Sequence, residues 1–193
     1  MNDISHLKLW LVLLLTLTSI KIWGAKPVKD VVIDDCTDTY VFMSDNDGKP
    51  IVKNTVTTLY QSLSLRNISI QPYTLYGEFI SLDKASGKGA AQYRNATPEN
   101  VFYDDTKVCF FNINFDRKRP ESKEKFERTF KDVRYFTRIY LSEDFKIKHK
   151  TVVIRIPKQF NQFKLIHQNF TPNIKIEQTE DANDRIYTYT ITD

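Results

Sequence analysis

The sequence predicts an all-β fold, an antiparallel β-sandwich of about ten short strands, and three observations predict it. Short runs in which apolar and polar residues alternate recur along the chain, as in strands with one buried face. Turn-forming Asp-Gly, Pro and Ser-Gly clusters separate those runs. Beyond the N-terminus there is no apolar pattern of helical period and convincing length.

Residues 1–25 are read first, as a leader. The charge-free run Leu9–Ile20, "LWLVLLLTLTSI", follows Lys8 and ends before "KIWGA". It is shorter than the roughly 20 residues that a spanning helix needs. Gly24 and Ala25 supply the small side chains of a signal-peptidase site. A cleaved signal peptide is therefore expected, leaving residues 26–193 as one exported domain with no stable membrane span. An uncleaved anchor is the alternative, because Lys21 stands close to the end of the run. Export would place Cys36 and Cys109 where a disulfide can persist. Cys109, however, alternates with Phe111 and Ile113 in "KVCFFNINF", so a buried free thiol is preferred over pairing.

The strands follow in order. "DTYVFMS" (38–44) and "IVKNTVTTLYQSLSL" (51–65) flank "DNDGKP", in which Asp47-Gly48 suits a tight hairpin. "ISIQPYTLYGEFISLD" (68–83) carries Pro72 and Gly77, as edge or bulged strands do. "KASGKG" turns into "AAQYRNA", and "TPEN" opens a loop before "KVCFFNINF" (107–115). The charged "DRKRPESKEK" reads as a solvent-crossing connection. In "KEKFERTFKDVRYFTRIYLSEDF" (123–145), Phe126, Phe130 and Val133 fit a helix while Phe126, Arg128 and Phe130 fit a strand. Its second half is rich in aromatic and β-branched residues without a cap, and strands are expected throughout. "KTVVIRIP" (150–157), "FKLIHQNF", "NIKIEQT" and "RIYTYTIT" complete the set, with "EDAND" as the last turn.

Composition and motifs exclude several function classes. The net charge of +4 comes from 28 basic and 24 acidic residues that are intermixed, so no concentrated basic face for nucleic acid is expected. A phosphate loop at "SGKG" would need glycine at 82 and a hydroxyl at 89, where the chain has Leu82 and Gly89. A calcium loop at "MSDNDG" fails at Met43 and Asn54. Zinc would need clustered ligands, and after the leader only His149 and His167 accompany the two cysteines. The sharpest enzyme hypothesis pairs Cys109 with His149 or His167, but an apolar strand raises a thiol's pKa rather than activating it. Sequons at Asn67, Asn95 and Asn169 carry little weight.

Three segments carry a resemblance: "FYDDTKVCFF", "KDVRYFTRIYLSEDF" and "YTYTIT". With them the chain resembles, from about Asp38 onward, the domain-of-unknown-function family 3857 as found in exported proteins of Bacteroidota-type bacteria. One departure is Val133, where the family often has proline. The resemblance implies a β-sandwich that stands N-terminal to a transglutaminase-like core bearing Cys, His and Asp. It further implies the periplasm or surface of a Gram-negative bacterium. None of that core's catalytic positions falls within these residues, so no catalytic, cofactor-binding or metal-binding residue is carried over. The expected role is a non-catalytic accessory module whose partner is such a core in the same longer protein, or an envelope protein. Arg134, Tyr135 and Arg138 are the candidate interaction residues. The rival expectation is an envelope glycan- or peptide-binding module using that basic, aromatic face. Structural pairing of Arg134 and Arg138 with carboxylates such as Asp132 or Glu143 is the plainer alternative.

Overall fold

The protein is described by a computed structural model covering residues 30–96, 105–136, 138–161, 163–168 and 170–192. The expected leader and Asn169 lie outside the described residues. The fold starts from a long hairpin, β1 (Val31–Ser44) and β2 (Pro50–Ser62). Its turn forms as the Asp-Gly pair predicts: Gly48 adopts φ +78°, and the Asp45 carboxylate accepts the backbone N–H groups of Asp47 and Lys49 at 2.9 and 2.8 Å. The strand begins well before Asp38 because a bulge at Asp34 interrupts the sequence alternation without ending the pairing. Val31 and Ile33 before it and Cys36, Asp38, Tyr40 and Phe42 after it are all buried.

Short strands follow: β3 (Ile68–Ile70), β4 (Tyr73–Tyr76), β5 (Ile80–Ser86), β6 (Gln92–Asn95), β7 (Lys107–Phe110) and β8 (Ile113–Phe115). Then come β9 (Glu121–Phe130), β10 (Lys146–Ile147), β11 (His149–Pro157), β12 (Ile174–Glu180) and β13 (Asp184–Thr192). The protein is essentially all-β, as the alternating runs predict. The arrangement differs from two antiparallel sheets. One sheet runs β12-β13-β11-β1-β2-β9-β5 with β10 added beside β1, and two small sheets, β3-β8 and β4-β7-β6, stand apart from it. The large sheet is mixed, because β1 pairs with both β10 and β11 in parallel.

Strand direction explains two segments expected to be strands. In "KEKFERTFKDVRYFTRIYLSEDF" only the first part is extended: β9 ends at Phe130, a 3-10 turn occupies Val133–Tyr135, and residues 136 and 138–145 run irregularly. "FKLIHQNF" is irregular wherever it is described. Both are crossovers. β9 and β11 run in the same direction on either side of the β1-β2 pair, and β11 and β12 do so on either side of β13. Strands running in the same direction within one sheet cannot be joined by a hairpin, so the chain must cross a face of the sheet. Between the strands that they join, the sheet positions are held by β1 and β2 in one case and β13 in the other, and these segments contribute side chains instead of ladders.

Two apolar clusters result on one face of the large sheet. In the first, Val31, Ile33, Cys36, Tyr60 and Phe126 meet Ile70, Cys109, Phe111, Ile113 and Phe115 from the small sheets and the residues between their strands. In the second, Tyr40, Phe42, Val52, Phe130, Val152, Ile154, Ile156, Tyr189 and Ile191 are covered by the crossovers through residues such as Phe136, Leu141, Phe163 and Phe170. Phe111, 1% exposed, fills the first cluster. Phe111→Ala is expected to lower unfolding free energy by about 4 kcal/mol in urea titration. Tyr140→Ala, at a side chain 66% exposed, is expected to change it by less than about 0.5 kcal/mol. Equal losses would contradict this placement of the core.

Candidate functional site

The strand registers set side chains from β9, β2, β1 and β11 in rows across the covered face. One row is Glu124, Thr58, Cys36 and Lys150; the next is Phe126, Val56, Asp38 and Val152; the third is Arg128, Asn54, Tyr40 and Ile154. A polar belt therefore lies between the apolar clusters. Asp38 accepts from Asn54 Nδ2 at 2.7 Å and from the Tyr40 hydroxyl at 2.8 Å. Arg128 donates to Asn54 Oδ1 through Nη2 at 2.6 Å and Nε at 3.1 Å. Burial pushes the Asp38 carboxyl above the usual range, opposed by these hydrogen bonds and by the nearby Lys150 and Arg128 charges. Lys150, fully buried, donates to the Tyr140 carbonyl at 3.3 Å and pairs with the Glu143 carboxylate. This pair ties the first crossover down to β11.

Beyond the belt, the crossovers stand apart and leave a cleft of about 950 Å³. Ile154 and Ile156 of β11 with Tyr189 and Ile191 of β13 form its floor. Phe136, Ile139 and Leu141 line it from one crossover, and Phe163, Leu165 and Phe170 from the other. His167, itself exposed, brings Nε2 to 2.9 Å from the hydroxyl of the buried Tyr189. Tyr140 and Ile166, both largely exposed, rise from opposite crossovers.

The structure separates the residues singled out in the sequence. Arg134 is tied to Asp132, with Nε 2.9 Å from Oδ2, and is largely exposed. Tyr135 stacks on Phe79 at 4.1 Å and 10°. Arg138 alone of the three lines the cleft, and Glu143, the carboxylate expected for it, belongs to Lys150. Both cysteines are buried and free in the first cluster. Cys36 Sγ lies 3.7 Å from Thr58 Oγ1, and burial, against the opposing Lys150 charge, pushes its thiol up to about 11. Cys109 is bonded by Tyr93 and is likewise raised by burial. His149 pairs with Asp35 at 2.7 Å rather than with either thiol. Asn67 and Asn95 are exposed. Among the described residues there is no group of three metal-ligating side chains, and no helix is long and apolar enough to cross a membrane.

Alternation in the sequence sets Ile154 with Ile156 and Tyr189 with Ile191 on strand faces, but no motif marks the belt or the cleft. The sequence does carry a signal for the belt: Asp38 is in phase with Tyr40 and Phe42, Asn54 with Val52, and Lys150 heads the Val152, Ile154, Ile156 set. A polar residue in phase with an apolar strand face announces a buried polar contact. The cleft had no such signal, because its walls come from crossovers.

No protein-family model matches the chain, and no curated protein matches it. Among solved structures the fold is similar to a putative protease from Parabacteroides distasonis, with TM-score 0.55 and 9% identity over 84% of this chain and 35% of that one. It is also similar to a putative nutrient binding protein from Legionella pneumophila, with TM-score 0.50 and 9% identity over 87% of this chain and 64% of that one. The chain thus spans about a third of the first and under two thirds of the second. The likeness is one of fold.

Asn54→Ala leaves Asp38 and Arg128 buried with partners removed, and is expected to destabilise the protein by about 3 kcal/mol in urea. A loss under about 0.5 kcal/mol would refute the belt as drawn. Iodoacetamide is expected to alkylate both thiols slowly in the folded protein at neutral pH and rapidly in guanidinium chloride. A group whose folded pKa is raised gives its full stability below the unfolded pKa and loses it as pH rises toward the folded value. For Cys36 that window runs from about 8.5 to about 11. Stability should fall across it, and less steeply in Cys36→Ala.

Proposed function

We propose that the chain is a non-catalytic accessory module of a longer exported protein, acting by binding beside a transglutaminase-like core. The observation that carries the reading is the state of its reactive side chains. The thiols are buried with raised pKa values, His149 and His167 are bonded to Asp35 and Tyr189, and the buried lysine is spent on Glu143. The concave surface left over is an apolar-walled cleft of a size that suits a ligand. Both similar structures contain the fold as part of a longer chain, which supports an accessory role. In this reading the small sheets pack on the large one as a β-sandwich at one end only.

A second reading, an envelope glycan- or peptide-binding module, draws on one observation. Arg138 lines the cleft and makes no ion pair among the described residues. It differs from the accessory role in needing no downstream core.

The test is to express the core encoded downstream with and without this chain. A rise of several degrees in the core's thermal midpoint, with no hydrolytic or acyl-transfer activity in this chain alone, is expected. An unchanged midpoint, or a reading frame that continues into no such core, would overturn the accessory role.

A further inference from the structure

We infer that the open edge of β12 pairs antiparallel with β12 of a second copy of this chain, joining the two large sheets into one across a twofold axis. The inference does not depend on attachment to a core. Three observations carry it.

The first is what the edge leaves unpaired. The Asp181 N–H bonds the Asp184 carbonyl at 3.0 Å and the Lys158 N–H bonds the Asn183 carbonyl at 2.8 Å, so the even-numbered residues of β13 bond toward β12. The odd-numbered residues of β12 answer them, and Ile176, Gln178 and Glu180 aim their N–H and C=O groups outward. Among the described residues no backbone group bonds them there. The second is that this edge lacks the features that blunt the others. β5 carries a bulge between Leu82 and Lys84, and the strands of the small sheets have only three or four residues. β12 instead pairs over seven residues without a register shift, and residues 175–180 are exposed throughout. Such an edge is a template for one more strand.

The third observation selects the partner. Lys175 and Glu177 stand on the face turned away from the apolar clusters, and neither makes an ion pair with a described residue. In a pairing centred on Ile176, each Lys175 lies directly opposite the partner's Glu177. Their backbones bond the other way, toward β13, which is the arrangement that brings facing side chains closest. Ile176, 45% exposed, meets the partner's Ile176 on the covered face. Centring on Glu177 instead would set like charges opposite each other. The edge is therefore complementary to itself in one register, as an isologous contact requires.

Sedimentation velocity of the full chain tests this. A reversible monomer–dimer equilibrium in the micromolar range is expected, as for a small interface, with no larger species because pairing uses up the edge. Gln178→Pro removes an outward N–H and no ladder bond to β13; it should weaken dimerisation by about tenfold or more and leave the far-ultraviolet circular dichroism unchanged. Lys175→Glu and Glu177→Lys should each weaken it by about tenfold. An equimolar mixture of those two variants, in which every facing pair is again of opposite charge, should dimerise as the unmodified chain does. A chain that stays monomeric at millimolar concentration, a dimer unmoved by these substitutions, single reversals that mixing fails to rescue, or growth beyond the dimer would each overturn the proposal. So would protection of the Ile176 and Gln178 amides from hydrogen exchange only when a downstream core is attached, since the edge would then belong to that core. The accessory role reads out separately, in the core's thermal midpoint, so either proposal can fail while the other stands.

Discussion

The structure depends on the length of β1 and on its having neighbours of opposite sense on its two sides. Fourteen residues of strand extend for about 46 Å, and the inward face is apolar or paired over nearly all of it. Small sheets of three- and four-residue strands cannot cover such a face; they cover the end around Val31, Ile33 and Cys36. The other end, around Tyr40 and Phe42, needs a different cover. The crossovers supply it, because β9 and β11, and β11 and β12, run in the same direction and the chain that joins them is routed over the bare face.

Crossovers without helices make an incomplete lid. A helix would satisfy its own backbone and present a continuous apolar stripe. The described residues of 131–145 and 158–173 instead drop single aromatic and aliphatic side chains onto the sheet and leave space between them. The cleft is the consequence. Its position is held by few fixed points, chief among them the Lys150–Glu143 pair at the belt and the His167–Tyr189 contact at the floor. The ion pair adds little net stability, since desolvation of the buried Lys150 offsets most of the attraction, but it fixes where the segment lies.

The polar belt has the same logic within the sheet. Asp38, Asn54 and Arg128 stand in phase with apolar neighbours on three adjacent strands, and each satisfies another. Shifting any of these strands by one residue would turn a buried charge away from its partner and set apolar side chains outward. The belt thus reinforces the one register in which both clusters close. The thiol of Cys36, held in the same row as Lys150, is a by-product of that register rather than a reactive site.

The sequence by itself determined the class of structure: period-two runs in β1, β2, β11 and β13, and the Asp47-Gly48 hairpin, follow from local sterics and from the need to bury one face. It also showed that Cys109 sits among apolar neighbours. The tertiary structure alone decided that "RYFTRIYLSEDF" and "FKLIHQNF" are not strands, since their composition favours extension and only the strand order, which sets β1 and β2 or β13 between the strands that they join, sends them across the face of the sheet. It alone decided that Arg138 faces a cleft while Arg134 is spent on Asp132 and Tyr135 on Phe79. Strand propensity is a property of a few consecutive residues; strand pairing, and with it the site, is a property of which distant segments the fold sets side by side.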